Sequence, residues 1–518
     1  MSAPPPHKLA PKPLPLAVDS PNGGKRPNLV IFMPDQLRFD SLGCTSPAGH
    51  PVQTPTSTPS PGAAPSSPTA SPRPRMFTGV YPHVSGHRSL HNLIKPWEPN
   101  LFRSLKESGY QVACLAPRGD TFAPTVTELS LDEYGFLETP EFVPKFGKRN
   151  PGDPPPEKDE SIWGRLFYRG LRNVHQAMDY DDAVVRSALT WLDCPPADKP
   201  WVLFMPLLFP HCPFQVEEPY FSQYARDAMP PIANPKEKTG YEPRYMGNIR
   251  ERYGTDRATP EVWNEVKATY YGMISRLDAQ FGRIIAALDK SNRWKDTVSM
   301  FFTDHGEYLG DYGLIEKWPS GLSDVLVHEP LIGSPAGQTS AAMAEMVDLI
   351  PTVFELCGIG QDFPHNGQSL VPVLVDGATD HKKYAYSEGG FLKSEEPLLE
   401  QSPYPYDLKA ALQHQDAAVW VGKALAIRDP TWTYIYRLYE PCELYHRQDD
   451  PHEMHNLAEK PEVRDVIKEF QREALRWMVD SSDFVPWAQN DRFPKVDLVS
   501  PREQLEARRK AAAGGDDK

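Results

Sequence analysis

Two short pairs of polar residues, Asp35-Gln36 and Asp304-His305, are placed where they could do chemistry together. Each pair follows an apolar run, Leu29-Val30-Ile31-Phe32-Met33 before the first and Val298-Ser299-Met300-Phe301-Phe302-Thr303 before the second. A carboxylate and an imidazole at a strand end can ligate one divalent cation. With Asp35 and the Gln36 amide oxygen added, the donors would be mostly hard oxygens. Such a set favours calcium, magnesium or manganese over zinc, and the imidazole tilts the choice towards manganese. A lone Asp-His is more often structural than ligating, so the elements that carry the two pairs decide how they are read.

Apolar runs of this length read as buried strands, and side chains just past strand ends gather where parallel α/β sheets build their sites. Further elements alternate in the same way. Residues 100–108 predict a helix ended by Gly109, with a strand over 110–115. Residues 201–208 predict another buried strand, leading into Pro210-His211-Cys212-Pro213-Phe214. From Pro260 to Leu288 the positions Met273, Ile274, Leu277, Phe281, Ile284, Ile285 and Leu288 recur at helical spacing, which is core packing. Residues 346–358 predict a helix broken near Pro351, and 431–436 a strand of a smaller second unit. The fold class is therefore α/β: a large, mainly parallel sheet sandwiched by helices, with a smaller C-terminal α+β domain. The expected boundaries are a disordered lead over 1–27, a main domain over 28–377, a C-terminal subdomain over 378–490 and a charged tail over 491–518.

Composition bounds the function. The chain has 518 residues, 40% hydrophobic and 24% charged, with a net charge of −14, so a nucleic-acid binder, which needs a basic face, is excluded. No run of ~18 apolar residues predicts a membrane span. The Pro-rich start lacks the apolar core of a secretory signal, so cytoplasmic residence and no membrane partner are expected. The six cysteines show no zinc-ligand spacing and read as free thiols.

Several further segments, in order, resemble the sulfatase family of the alkaline-phosphatase superfamily. Residues 28–40 (NLVIFMPDQLRFD) resemble its first metal motif, and Thr78-Gly-Val-Tyr-Pro-His-Val-Ser-Gly86 the segment that follows its nucleophile. Phe302-Thr-Asp-His-Gly306 resembles the second metal motif, residues 310–319 the stretch bearing its lysine, and Pro210-His211 its substrate-side histidine. Residues 442–457 resemble its C-terminal signature. The resemblance implies an alkaline-phosphatase-like fold and hydrolysis of small-molecule sulfate esters, with phosphate or phosphonate esters in related members. It implies one divalent metal ion (calcium or manganese, with magnesium admissible) held by Asp35, Gln36, Asp304 and His305. Lys317 and His211 would act catalytically, and His83, His87 and Arg118 would bind substrate. A homo-oligomer is left open.

One part of the pattern is missing. Family members make a formylglycine nucleophile from Cys or Ser in Cys-x-Pro-x-Arg. Family spacing lands on Thr69, within Thr69-Ala-Ser-Pro-Arg-Pro-Arg-Met-Phe-Thr78, with Arg73 at the arginine position and no cysteine. Residues 46–75 are dense in Pro, Ser, Thr and Ala, which reads as an ill-ordered insert rather than the family's helix and strand. Read one nucleotide earlier, codons for Thr56 to Ala70 permit Asn-Ile-Asp-Ala-Phe-Ala-Arg-Arg-Gly-Thr-Leu-Phe-Thr-Asn-Cys, which resembles the family text. The shift alone does not restore the motif before Met76. Three readings follow: a sulfatase impaired in its printed sequence, a phosphate or phosphonate esterase using Thr69 or Ser71, and a non-catalytic pseudo-sulfatase.

Overall fold

The computed structural model of the chain describes residues 25–47, 49–57, 63–65, 74–117, 120–139, 158–172, 178–333, 340–361, 363–416, 420–485, 492 and 495–513. The expectations for Thr69, Ser71, Arg73 and Arg118, and for most of the lead, lie outside these residues.

The first unit contains strands β1 (Asn28–Asp35), β2 (Ala63–Pro65), β3 (Gln111–Cys114), β4 (Glu133–Tyr134), β5 (Tyr168–Leu171), β6 (Trp201–Pro210), β7 (Phe214–Val216), β8 (Thr297–Phe302) and β9 (Pro330–Gly333). Seven of them form one sheet in the order β2-β9-β8-β1-β6-β3-β4. β1 runs parallel to both β6 and β8, so the two apolar runs that precede the metal-ligand candidates are direct neighbours. β9 is antiparallel to β8 and to β2, which makes the sheet mixed but mostly parallel, as expected. β5 and β7 form a separate parallel ribbon.

Helices cover the sheet because their apolar stripes leave no alternative to burial. The Pro260–Lys290 helix, with proline at its first turn, buries Met273, Ile274, Leu277, Phe281 and Ile284. Phe281 meets Phe32 of β1 and Phe301 of β8, with ring centroids 5.0 and 5.3 Å apart. Each such side chain contributes roughly 1.5–3 kcal/mol of burial. Asn100 caps the Leu101–Glu107 helix by accepting the Arg103 N–H, and Gly109, at φ 92°, turns the chain into β3. The expected helix over 346–358 is a 3₁₀ turn, Met346–Asp348, joined to an α-helix, Leu349–Leu356. Pro351 thus falls in the first α-helical turn, where its missing N–H costs no bond.

The second unit is an antiparallel sheet, β10 (Ala385–Gly389), β11 (Ala424–Arg428), β12 (Trp432–Arg437) and β13 (Glu443–His446), in that order. The Arg464–Ser481 helix packs across it through Phe470, whose ring stacks on Tyr434 at 5.7 Å. Among the described residues, no helix is long and apolar enough to cross a membrane. Residues 53–57, inside the stretch expected to be an insert, are docked on the long helix: the Thr56 and Ser57 N–H groups both donate to Asp278 at 2.8 Å.

Candidate active site

Asp35 ends β1, where the register slips between Met33 and Asp35 so that Asp35 stands beside Pro210 of β6. That slip brings the first ligand pair alongside the segment carrying His211. The end of β6 is itself held by Asp181, which accepts the Leu208 and Phe209 N–H groups at 2.8 and 2.9 Å. Thr303, just past β8, ties the two parallel strand ends together. Its hydroxyl donates to the Pro34 carbonyl at 3.0 Å and accepts the Leu37 N–H at 3.2 Å. Both ligand pairs therefore emerge on one edge, side by side.

Asp35, Asp304 and His305 are buried, and one ligand atom from each lies within 4.8 Å of the others. His305 Nδ1 donates to the Gly306 carbonyl at 2.9 Å, which leaves Nε2 facing Asp35 Oδ1 at 3.5 Å and Asp304 Oδ1 at 3.9 Å. Burial and the charge of Lys317 push the His305 imidazole below its ordinary pKa, which keeps its lone pair available. Gln36 adds an amide oxygen. Its Nε2 donates to Glu307, so Oε1 points the other way, 3.2 Å from Lys317 Nζ. Two carboxylates, one neutral imidazole and one amide oxygen fit a hard divalent cation.

Gln36 sits at φ 66°, a left-handed conformation costly for a side chain with a Cβ. Tyr270 of the long helix holds it there, donating to the Gln36 carbonyl at 2.7 Å while accepting the Arg38 N–H at 3.0 Å. Arg38 then bridges to the other half of the site, donating to the Glu307 and Tyr308 carbonyls and to Asp311. Gly306 has no substitute: a Cβ there would lie 2.0 Å from the Val325 carbonyl oxygen.

Lys317 completes the group. Its ammonium lies 3.2 Å from Gln36 Oε1, 3.1 Å from His211 Nε2 and 3.2 Å from Glu316 Oε1, and its side chain keeps 25% exposure. It is thus more exposed than Asp35, Asp304, His305 or Glu316. Burial alone would lower the ammonium, but Glu316, Asp35 and Asp304 overcome this and raise it above its ordinary value. His211 donates from Nδ1 to the Cys212 carbonyl at 2.6 Å, so Nε2 is the acceptor. Burial and Lys317 push its pKa down to about 4, which leaves it neutral at pH 7.

The structure thus brings Asp35, Gln36, Asp304, His305, Lys317 and His211 together. His83 and His87 find partners elsewhere. His83 Nδ1 lies 2.9 Å from Glu388 and Nε2 3.1 Å from Ser481, while the His87 ring nitrogens meet the Asn92 carbonyl and Glu98. The sequence alone points to no role for Glu316, Tyr270 or Lys409. Glu307, three residues beyond Asp304, was the nearest to a readable signal. Burial pushes its carboxyl up to about 7 even as it accepts the Leu309 N–H.

A family model described as Sulfatase matches residues 27–359. Among curated proteins, a multifunctional alkaline phosphatase superfamily protein, PehA, of Trinickia caryophylli is 28% identical over 79% of this chain and 85% of its own length. A choline-sulfatase of Rhizobium meliloti (strain 1021) is 25% identical over 58% of this chain and 55% of its own. Among solved structures, the phosphonate monoester hydrolase of Agrobacterium radiobacter superposes with a TM-score of 0.67 at 21% identity, covering 89% of this chain and 97% of that one.

Proposed function

This chain belongs to the sulfatase family, the sulfuric ester hydrolases, and from that premise we propose that it is a metal-dependent hydrolase of small-molecule sulfate esters, impaired in turnover by the sequence of its nucleophile segment. In this reading Asp35, Gln36, Asp304 and His305 hold one divalent cation, manganese or calcium. When bound, the cation polarises the ester and stabilises charge that develops on its oxygens. Lys317 offers its partly exposed ammonium to a non-bridging oxygen of the anionic ester, a charge-assisted contact that strengthens as charge builds up. His211, neutral with Nε2 towards Lys317, can accept or relay a proton near the leaving group. The observation that carries the reading is the convergence of the three buried donor atoms beside Lys317.

The nucleophile is the weak point. Residues 66–75 contain no cysteine from which the family's formylglycine could be made, so turnover of an aryl sulfate is expected to be slow although binding is retained. A second reading, hydrolysis of phosphate or phosphonate monoesters, is favoured by the breadth of the match to PehA.

Calorimetric titration of the purified protein with manganese, followed by assays on p-nitrophenyl sulfate and p-nitrophenyl phenylphosphonate, tests both readings. One ion per chain, lost in Asp35→Asn/Asp304→Asn, is expected. Equal manganese binding by that double variant would overturn the site. Faster turnover of the phosphonate would select the second reading. Mass spectrometry of tryptic peptides across residues 38–88 would show whether the printed segment is the one present in the protein.

A further inference from the structure

Lys409 belongs to the Asp407–Gln415 helix, far in sequence from either ligand pair, yet its ammonium is buried against the Glu316 carboxylate. Glu316 is almost fully buried and holds φ 65°. Its second oxygen faces Lys317 Nζ at 3.2 Å. One carboxylate is therefore shared by two lysines. Lys317 alone of the pair reaches solvent, since the Lys409 side chain is only 9% exposed.

Charge counting shows what this does. In the metal-loaded protein the divalent cation would balance Asp35 and Asp304; Glu316 and Lys317 by themselves form a closed, neutral pair, and a neutral pair attracts an anionic ester weakly. Lys409 restores a net charge of +1 without touching the place where the ester would lie, and by engaging one Glu316 oxygen it limits how far the carboxylate draws Lys317 inwards. Coulomb interaction falls only inversely with distance and is little screened in a buried place, so a charge in the next layer matters. The same helix also reaches the other side of Lys317. Tyr406, at its start, donates to the Cys212 carbonyl at 3.2 Å, the carbonyl that already accepts His211 Nδ1. One element thus braces two of the three neighbours of the Lys317 ammonium, Glu316 and His211.

We propose that Lys409 is a positioning residue that, through Glu316, supplies the net positive charge with which Lys317 captures the substrate's anionic head group. This rests on the proposed function above. The test is calorimetric titration of the manganese-loaded protein with inorganic sulfate, which needs no nucleophile. Lys409→Met is expected to weaken sulfate binding by about tenfold or more, with manganese affinity unchanged, and Lys409→Arg to restore most of the loss. Glu316→Gln/Lys409→Met returns the net charge to +1 and is expected to recover affinity over Lys409→Met alone, a coupling that a merely structural lysine would not produce. Parent and Lys409→Met chains that bind sulfate equally would overturn the inference and leave the proposed function standing. A parent chain that binds manganese but no sulfate would overturn both.

Discussion

At the residue scale, the site is held by strained backbone and by the groups that hold that strain in place. Gln36, Leu309, Tyr312 and Glu316 all have positive φ without being glycine, and all lie on the two loops that carry the ligand candidates and Lys317. Such conformations cost on the order of 1–3 kcal/mol each and persist where surrounding bonds over-determine them. Tyr270 supplies two of these bonds, so Tyr270→Phe strands the Gln36 carbonyl and the Arg38 N–H in a buried place. The expected cost is about 1–3 kcal/mol by urea unfolding, together with roughly tenfold weaker manganese binding. Unchanged manganese affinity would show that Gln36 needs no such support. A second residue contributes, with His211, to acid stability. Burial pushes His365 from its ordinary 6.5 down to about 4. Between those values the unfolded chain takes up a proton that the folded one refuses, so stability falls as pH drops through this window and levels off below it. The full term is about 3 kcal/mol. His365→Phe is expected to flatten that slope in unfolding curves measured from pH 7 to 4, and an unaltered slope would contradict the assignment.

At the element scale, the two strand ends are placed by features of unequal legibility. The apolar runs before Asp35 and Asp304 announce β1 and β8 because strands buried on both faces must be apolar throughout. The long helix announces itself through its stripe. Glu316 and Lys409 carry no such mark, because their roles arise only when loops and a distant helix converge, and a single glutamate or lysine reads as a solvated surface charge. Short strands such as β4 and β7 are illegible for a related reason: a few residues contain too little periodicity to register. The second loop offers a test of how tightly the elements meet. The Gly306 N–H donates to the Leu326 carbonyl at 2.8 Å while the neighbouring Val325 carbonyl presses against the bare Cα. Gly306→Ala collides with backbone, which cannot rotate away as a side chain would. A destabilisation of at least about 3 kcal/mol is expected, at the upper end of overpacking costs. It would appear as a drop in melting temperature and a loss of metal-induced stabilisation together. A variant with native melting behaviour would mean that the loop has room to move.

At the scale of the whole molecule, the second unit acts as a clamp on the loop that bears Lys317. Trp318 Nε1 donates to the Trp420 carbonyl, Arg437 to the Ser320 carbonyl at 3.0 Å and Arg428 to the Leu322 carbonyl. Arg437 is itself paired with Glu443 in the core of the second sheet. Trp477 of the Arg464–Ser481 helix packs edge-on against Tyr81, stacks on Tyr386 at 4.9 Å and covers His83. His83 therefore serves as a joint between the two units, its nitrogens spent on Glu388 and Ser481. Links made of buried hydrogen bonds and a tryptophan couple the unfolding of the two units, so a single cooperative transition is expected for the intact chain. Trp477→Ala opens a large cavity where the second unit meets Tyr81 and His83 and should cost about 3–5 kcal/mol. Because the bonds of Trp318, Arg437 and Arg428 stay intact, the expected signature in scanning calorimetry is still one transition, shifted to lower temperature. Sulfate affinity should be lost across that same transition, since the loop carrying Lys317 loses its clamp when the second sheet opens. Two transitions, with sulfate binding surviving the first, would show that the second unit opens alone and does not clamp the loop.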